Sequence, residues 1–240
     1  AVLTNDGTVA TLTTYVDGKT SGLTAAKYFT KNSSAKAGVS GKGVVTEVYV
    51  DTDATNVVSG TTYNVDKITV VQINTYLVKA QDDYSTKNEE LKVSAVSDIT
   101  LDSNVIDNDD VNVSSFKEDD YILVTGLIDA VSGKLTIKTA EKAEVRTGKV
   151  TDYVTGDSVK IDSTNYDYSE KVDDASKNNT EYSVGDETTV VLDKYGYIIT
   201  VDEYVVNTNN YVFVREFDTT GSFTNTGVKA DAYFTDGSHK

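Results

Sequence analysis

Cysteine, methionine, tryptophan and proline are all absent from this 240-residue sequence, and histidine occurs once. Without cysteine there is no disulfide, no thiol nucleophile, no Cys-ligated zinc and no iron–sulfur cluster. Without cysteine and methionine the usual oxidation targets are missing. That suits either a protein with a long exposed life or chance in a composition rich in Thr, Val, Asp and Lys. The single histidine, His239, is the penultimate residue. A nucleophile–His–acid triad needs a firmly held imidazole, and a chain end does not hold one. A sequence with no methionine does not open at a natural start codon, so it reads as a segment of a larger protein. It carries no signal peptide, anchor or membrane-spanning run.

Basic residues are also scarce. Lys and Arg number 22 against 38 Asp and Glu, giving a formal charge of −16 and a pI near 4.4. A nucleic-acid partner needs a basic stripe to meet phosphate, and an anionic membrane surface needs the same. This chain should instead attract cations and repel its own copies. Carboxylate pairs occur at Asp82/Asp83, Asp109/Asp110, Glu118/Asp119/Asp120 and Asp173/Asp174. A glycosidase needs two carboxyls facing each other across a cleft, whereas neighbours in a turn read as solvated loop. Asp51 and Asp53, and the run Asp107, Asp109 and Asp110, gather hard oxygens of the kind Ca²⁺ takes. Neither set continues into an EF-hand loop or a nonapeptide calcium repeat.

What the sequence does have is alternation. Val9–Val16 reads as a strand followed by a turn at Asp17–Gly18, and Val44–Val50 reads as another strand. Ile68–Ala80 is the longest apolar stretch and predicts one long strand; Leu23–Phe29 predicts a short helix. Sixteen tyrosines against six phenylalanines suggest rings lying over small sheets with wet hydroxyls. Two segments look like one unit used twice: Phe116–Thr125 (FKEDDYILVT) and Tyr182–Val191 (YSVGDETTVV). In each an aromatic residue leads through an acidic turn, with Asp120 or Asp186 fifth, into an apolar strand. The predicted fold is all-β: tandem small antiparallel barrel or sandwich modules with at most one short helix. The modules are a first one with long loops at 1–145, a small barrel at 146–205 and a partial third at 206–240. Short links at Ala143–Gly148 and Val205–Asn210 predict an extended rod with some hinge freedom.

Five segments occur in order: NTYLVKA (Asn74–Ala80), FKEDDYILVT (Phe116–Thr125), TGKVTDY (Thr147–Tyr153), VGDETTVVLDKYGYIITVDE (Val184–Glu203) and NNYVFV (Asn209–Val214). This arrangement resembles the non-anchoring region of S-layer-homology (SLH) domain proteins from Gram-positive, clostridial-type bacteria. The SLH repeats themselves carry Trp and Pro, so they lie outside this segment. The resemblance implies a non-catalytic structural or spacer segment of an extracellular cell-wall protein, attached to cell-wall polymer through repeats elsewhere. It implies no catalytic residue and no cofactor. Self-association or a glycan are the other partners such a surface segment would meet. The rival readings are a glycan- or host-ligand-binding adhesin module and an accessory region of an exported enzyme.

Overall fold

The structure, a computed structural model, describes residues 11–21, 42–52, 65–172, 182–205, 212–217 and 230–234. These form sixteen strands and no helix, so the fold is all-β. The helix expected at Leu23–Phe29 lies outside the described residues, as do Asp53, Asp173, Asp174 and His239.

The first sheet contains β1 (Thr11–Val16), β2 (Lys19–Ser21), β3 (Val45–Thr52) and β4 (Val65–Ile73), in the order β2-β1-β4-β3. Asp17 and Gly18 both take positive φ (48° and 79°), the backbone of a two-residue type I′ hairpin that Asp-Gly favours. The pairing of β1 with β4 is parallel, running from Thr11↔Lys67 to Val16↔Gln72, against the expectation of purely antiparallel pairing.

A central module follows: β5 (Tyr76–Ala80), β6 (Glu90–Ala95), β7 (Val105–Asp107), β8 (Tyr121–Ile128) and β9 (Leu135–Lys142), ordered β7-β6-β5-β8-β9. A distal module repeats it: β10 (Glu144–Val154), β11 (Ser158–Ile161), β12 (Thr164–Asp167), β13 (Glu187–Leu192) and β14 (Ile198–Val205), ordered β12-β11-β10-β13-β14. Each curls toward closure through one parallel bridge onto the start of its last strand, Leu101↔Leu135 and Tyr168↔Ile198. Such closure protects edges that would otherwise stay unpaired. A two-stranded ribbon, β15 (Val212–Phe217) and β16 (Ala230–Phe234), completes the described chain.

The repeat seen in sequence is a repeat in three dimensions. Phe116 and Tyr182 are both buried plugs. Three residues on, Asp119 and Gly185 both adopt positive φ (68° and 99°). Their N–H groups bond the carbonyls of Ala80 and Val150, on β5 and β10. The next residues, Asp120 and Asp186, return carbonyls to the N–H groups of Ala80 and Val150, at 2.9 and 2.8 Å. Each module holds its own apolar core. Val78, Leu91, Val93, Val113, Ile122 and Val124 anchor the central one. Val150, Val159, Val190, Leu192 and Ile198 anchor the distal one. Each such side chain contributes about 1.5–3 kcal/mol by leaving water.

Two sequence expectations are corrected here. The apolar run Ile68–Ala80 is two strands of two different sheets, broken at Asn74–Thr75. Asn74 is pinned by Asp17: its backbone N–H donates to one carboxylate oxygen (2.8 Å) and its Nδ2 to the other (2.7 Å). The stretch Ala143–Gly148 is no link either, because β9 ends at Lys142 and β10 begins at Glu144. Ala143 alone separates them, and it is buried with Leu77, Leu123, Val191 and Ile199 in a cluster shared by the two modules.

Candidate functional site

The acidic residues singled out for chemistry are mostly engaged in building turns. The Asp83 carboxylate accepts the N–H of Glu118 (3.0 Å). Asp82 accepts the N–H of Lys92 and meets its ammonium. The Asp120 carboxylate accepts the N–H of Lys117 and pairs with Lys142 at 2.6 Å. Partial burial alone would raise the pKa of Asp120; the Lys142 ammonium and the Lys117 amide outweigh it and hold the group below its ordinary value. A carboxylate so held is a poor proton donor near neutral pH.

Asp51 stands exposed on β3, in the first sheet. Asp107, Asp109 and Asp110 lie at and beyond the end of β7, in the central module. There the Asp107 carboxylate accepts the N–H of Asp109 (2.9 Å), and the Asn108 side chain accepts that of Val113 (2.9 Å). Asp107 and Asp110 join Asp102, which was not singled out in sequence, around a surface cavity of about 270 Å³ floored by Ile106, Val111 and Ile137. Asp102 is brought in by the parallel bridge at Leu101, a contact that no local sequence signal announces. Among the described residues no group of three or more His, Cys, Asp or Glu side chains is arranged to hold a metal ion.

The strongest polar constellation is a junction that sequence reasoning missed. Asp17 is 2% exposed although acidic, and it lies where the first sheet meets the central module. Besides the two bonds from Asn74, it accepts the Tyr76 hydroxyl at 2.8 Å. Its backbone carbonyl takes the N–H of Ile128 (2.8 Å), and its own N–H goes to Gln72. Such saturation is what a buried carboxylate requires. Burial first, then the Asp17 charge and hydrogen bond, push the Tyr76 phenol far above its ordinary pKa. The Lys171 ammonium, from the distal module, lies 5.9 Å from the centre of the same ring. Tyr76, itself on β5, thus meets the β1–β2 turn of the first sheet and Lys171 of the distal module.

A second junction ties the first sheet to the distal module. The carbonyl of Lys42 accepts the N–H of Glu170 (2.8 Å) and the hydroxyl of Ser169. The Lys42 ammonium reaches Asp157 at 2.6 Å and Asp167 at 4.0 Å. Partial burial works against its charge, but these carboxylates outweigh it and raise the pKa. A third contact joins the two modules directly: Tyr121, half-buried on β8, donates its hydroxyl to Asp202 on β14. These three contacts tie the sheets and modules to one another.

Among the described residues no helix is long and apolar enough to cross a membrane. No protein-family model, no characterised protein and no solved structure matches this chain.

Proposed function

We propose that this chain is a non-catalytic spacer of a bacterial cell-surface protein of the S-layer-homology type. In this reading it is exported and held at the wall by SLH repeats outside this segment, which bind cell-wall polymer. The observation that supports it is the joint at Ala143. Two modules of the same strand order follow one another through a single buried residue, so length is added without slack. The acidic surface fits a segment that must stay solvated and apart from its neighbours. The test uses the complete gene product with an epitope inserted in the exposed 130–133 turn, made in a Gram-positive host. Surface staining and retention on washed cell walls are expected. A purely cytoplasmic product would overturn the reading. A glycan array probed with this chain separates it from the adhesin alternative, which calls for saturable binding to one sugar class.

A further inference from the structure

We propose that this chain carries tension along its own length, because each of its three larger sheets is strung so that tension shears its strands. The inference gives the spacer reading a mechanical content, but its physics stands on topology alone.

In the first sheet the chain comes in through β1 and leaves through β4, and these two strands are adjacent and parallel over six residue pairs. Tension draws the Thr11 end of β1 one way and the Ile73 end of β4 the other. The bonds between the strands lie across that direction and are strained together. At the far end the shear meets further bonds: Asp17 N–H to Gln72 at 3.0 Å, and Asn74 to both Asp17 carboxylate oxygens. They lie beside the point where the chain leaves the sheet.

The two modules reach the same condition by another route. In the central one, β5 and β9 are each antiparallel to β8, which lies between them, so first and last strands run the same way. Four residue pairs join β5 to β8 and seven join β8 to β9. In the distal module β10 and β14 flank β13 in the same manner, with six pairs on each side. Had first and last strands been adjacent and antiparallel, tension would have parted them pair by pair, with the load on one pair at a time. Neither joint offers slack before the sheets take load, since Asn74, Thr75 and Ala143 are all buried.

The absence of cysteine makes the test clean, because engineered cysteines are then the only attachment points. In single-molecule pulling, handles at Glu144→Cys and Glu203→Cys load the distal module lengthwise. Handles at Lys149→Cys and Glu187→Cys, which face each other across β10 and β13, load it sideways. All four positions are exposed. Forced unfolding reads the unfolding barrier rather than equilibrium stability, so the two directions can differ in one and the same fold. The lengthwise rupture force should be several-fold higher at equal loading rate; equal forces would overturn the proposal. Pulling the otherwise unaltered chain by its two ends removes any dependence on the internal handles. Three discrete ruptures are expected, each releasing on the order of 200 Å from about sixty residues. A smooth extension at low force would overturn the proposal. Failure here leaves wall attachment untouched, and a cytoplasmic location would leave the mechanical result standing.

Discussion

The hairpin turns of the two modules begin alike and end in different surroundings. After β8, the Asp129 carboxylate accepts the N–H groups of Val131 and Ser132 and the Ser132 hydroxyl. After β13, the Asp193 carboxylate accepts the N–H groups of Tyr195 and Tyr197. Each turn is closed by a glycine N–H returning to the aspartate carbonyl, from Gly133 (φ 72°) and Gly196 (φ 78°). Yet Asp129 is exposed, while Asp193 is 3% exposed and lies against Gly43, two residues before β3. The bonds to Ser132 and Val131 hold Asp129 below its ordinary pKa. One local rule, an aspartate closing its own turn, thus serves as a free loop in one module and as a docking point in the other. The local sequence determines the turn; its burial is decided by a partner more than a hundred residues away.

The comparison breaks first if the modules do not share their interface. Leu77→Ala removes a fully buried side chain from the shared cluster and should cost about 3 kcal/mol. Urea unfolding followed separately in each module should show both midpoints falling; a shift confined to the central one would mean the cluster does not couple them. Next comes the pair of turns. Asp193→Ala strands two N–H groups in a buried turn and should cost about 2–3 kcal/mol. Asp129→Ala should cost much less, because its freed donors turn to water. Equal losses in thermal unfolding would refute the distinction.

Glycine substitution sharpens the same contrast. A Cβ on Gly43, whose φ is +85°, would overlap the Asp193 carboxylate and crowd the Ser169 hydroxyl. Gly43→Ala should therefore cost about 2 kcal/mol, read as a lowered urea midpoint. A Cβ on Gly133 meets no atom within 4 Å, so Gly133→Ala carries only the strain of φ +72°, about 1 kcal/mol. The smallest effect is one of pH. Burial and the Asp202 carboxylate raise the Tyr121 phenol above its ordinary value, as Asp17 does for Tyr76. A phenol whose folded pKa is raised keeps its full contribution below its unfolded pKa, about 10, and loses it as pH climbs toward the folded one. Stability should fall above about pH 10. Tyr121→Phe should flatten part of that fall in melting curves; an unchanged slope would count against the Tyr121–Asp202 contact.

The all-β class was legible because alternation and turn residues act within a few residues of each other. The duplicated segment was legible for the same reason: Phe116 and Tyr182, and Asp120 and Asp186, keep their spacing. The break at Asn74–Thr75 was not, since one Asn in the otherwise strand-like ITVVQINTYLVKA is a weak signal against a continuous strand. It is imposed by Asp17, 57 residues earlier. The seam at Ala143 escaped detection because a small polar-looking stretch reads as a link, whereas its neighbours bury it. The acidic runs were visible, but their composition alone did not tell a turn amide from a cation as the partner of Asp107. The structure supplies that amide from Asp109. Tyrosine was half read. Tyr76 and the Tyr168–Tyr182 pair bury hydroxyls that were expected to be wet, each with its own partner.

The parallel pairing of β1 with β4 also sets an order of events in time. Thr11 finds Lys67, so the partner of the first strand is made 56 residues later. At roughly 5–20 residues per second, β1 waits on the order of several seconds during synthesis before β4 exists. Through that interval the β4-facing edge of β1 stays unpaired, and a lone hairpin is barely stable in water. The central module has a similar delay: β5 finds β6 early, but Tyr76 pairs with Val124, 48 residues later. Non-local pairing of this kind slows folding. Within the first sheet, the strand made first therefore waits longest for its second partner.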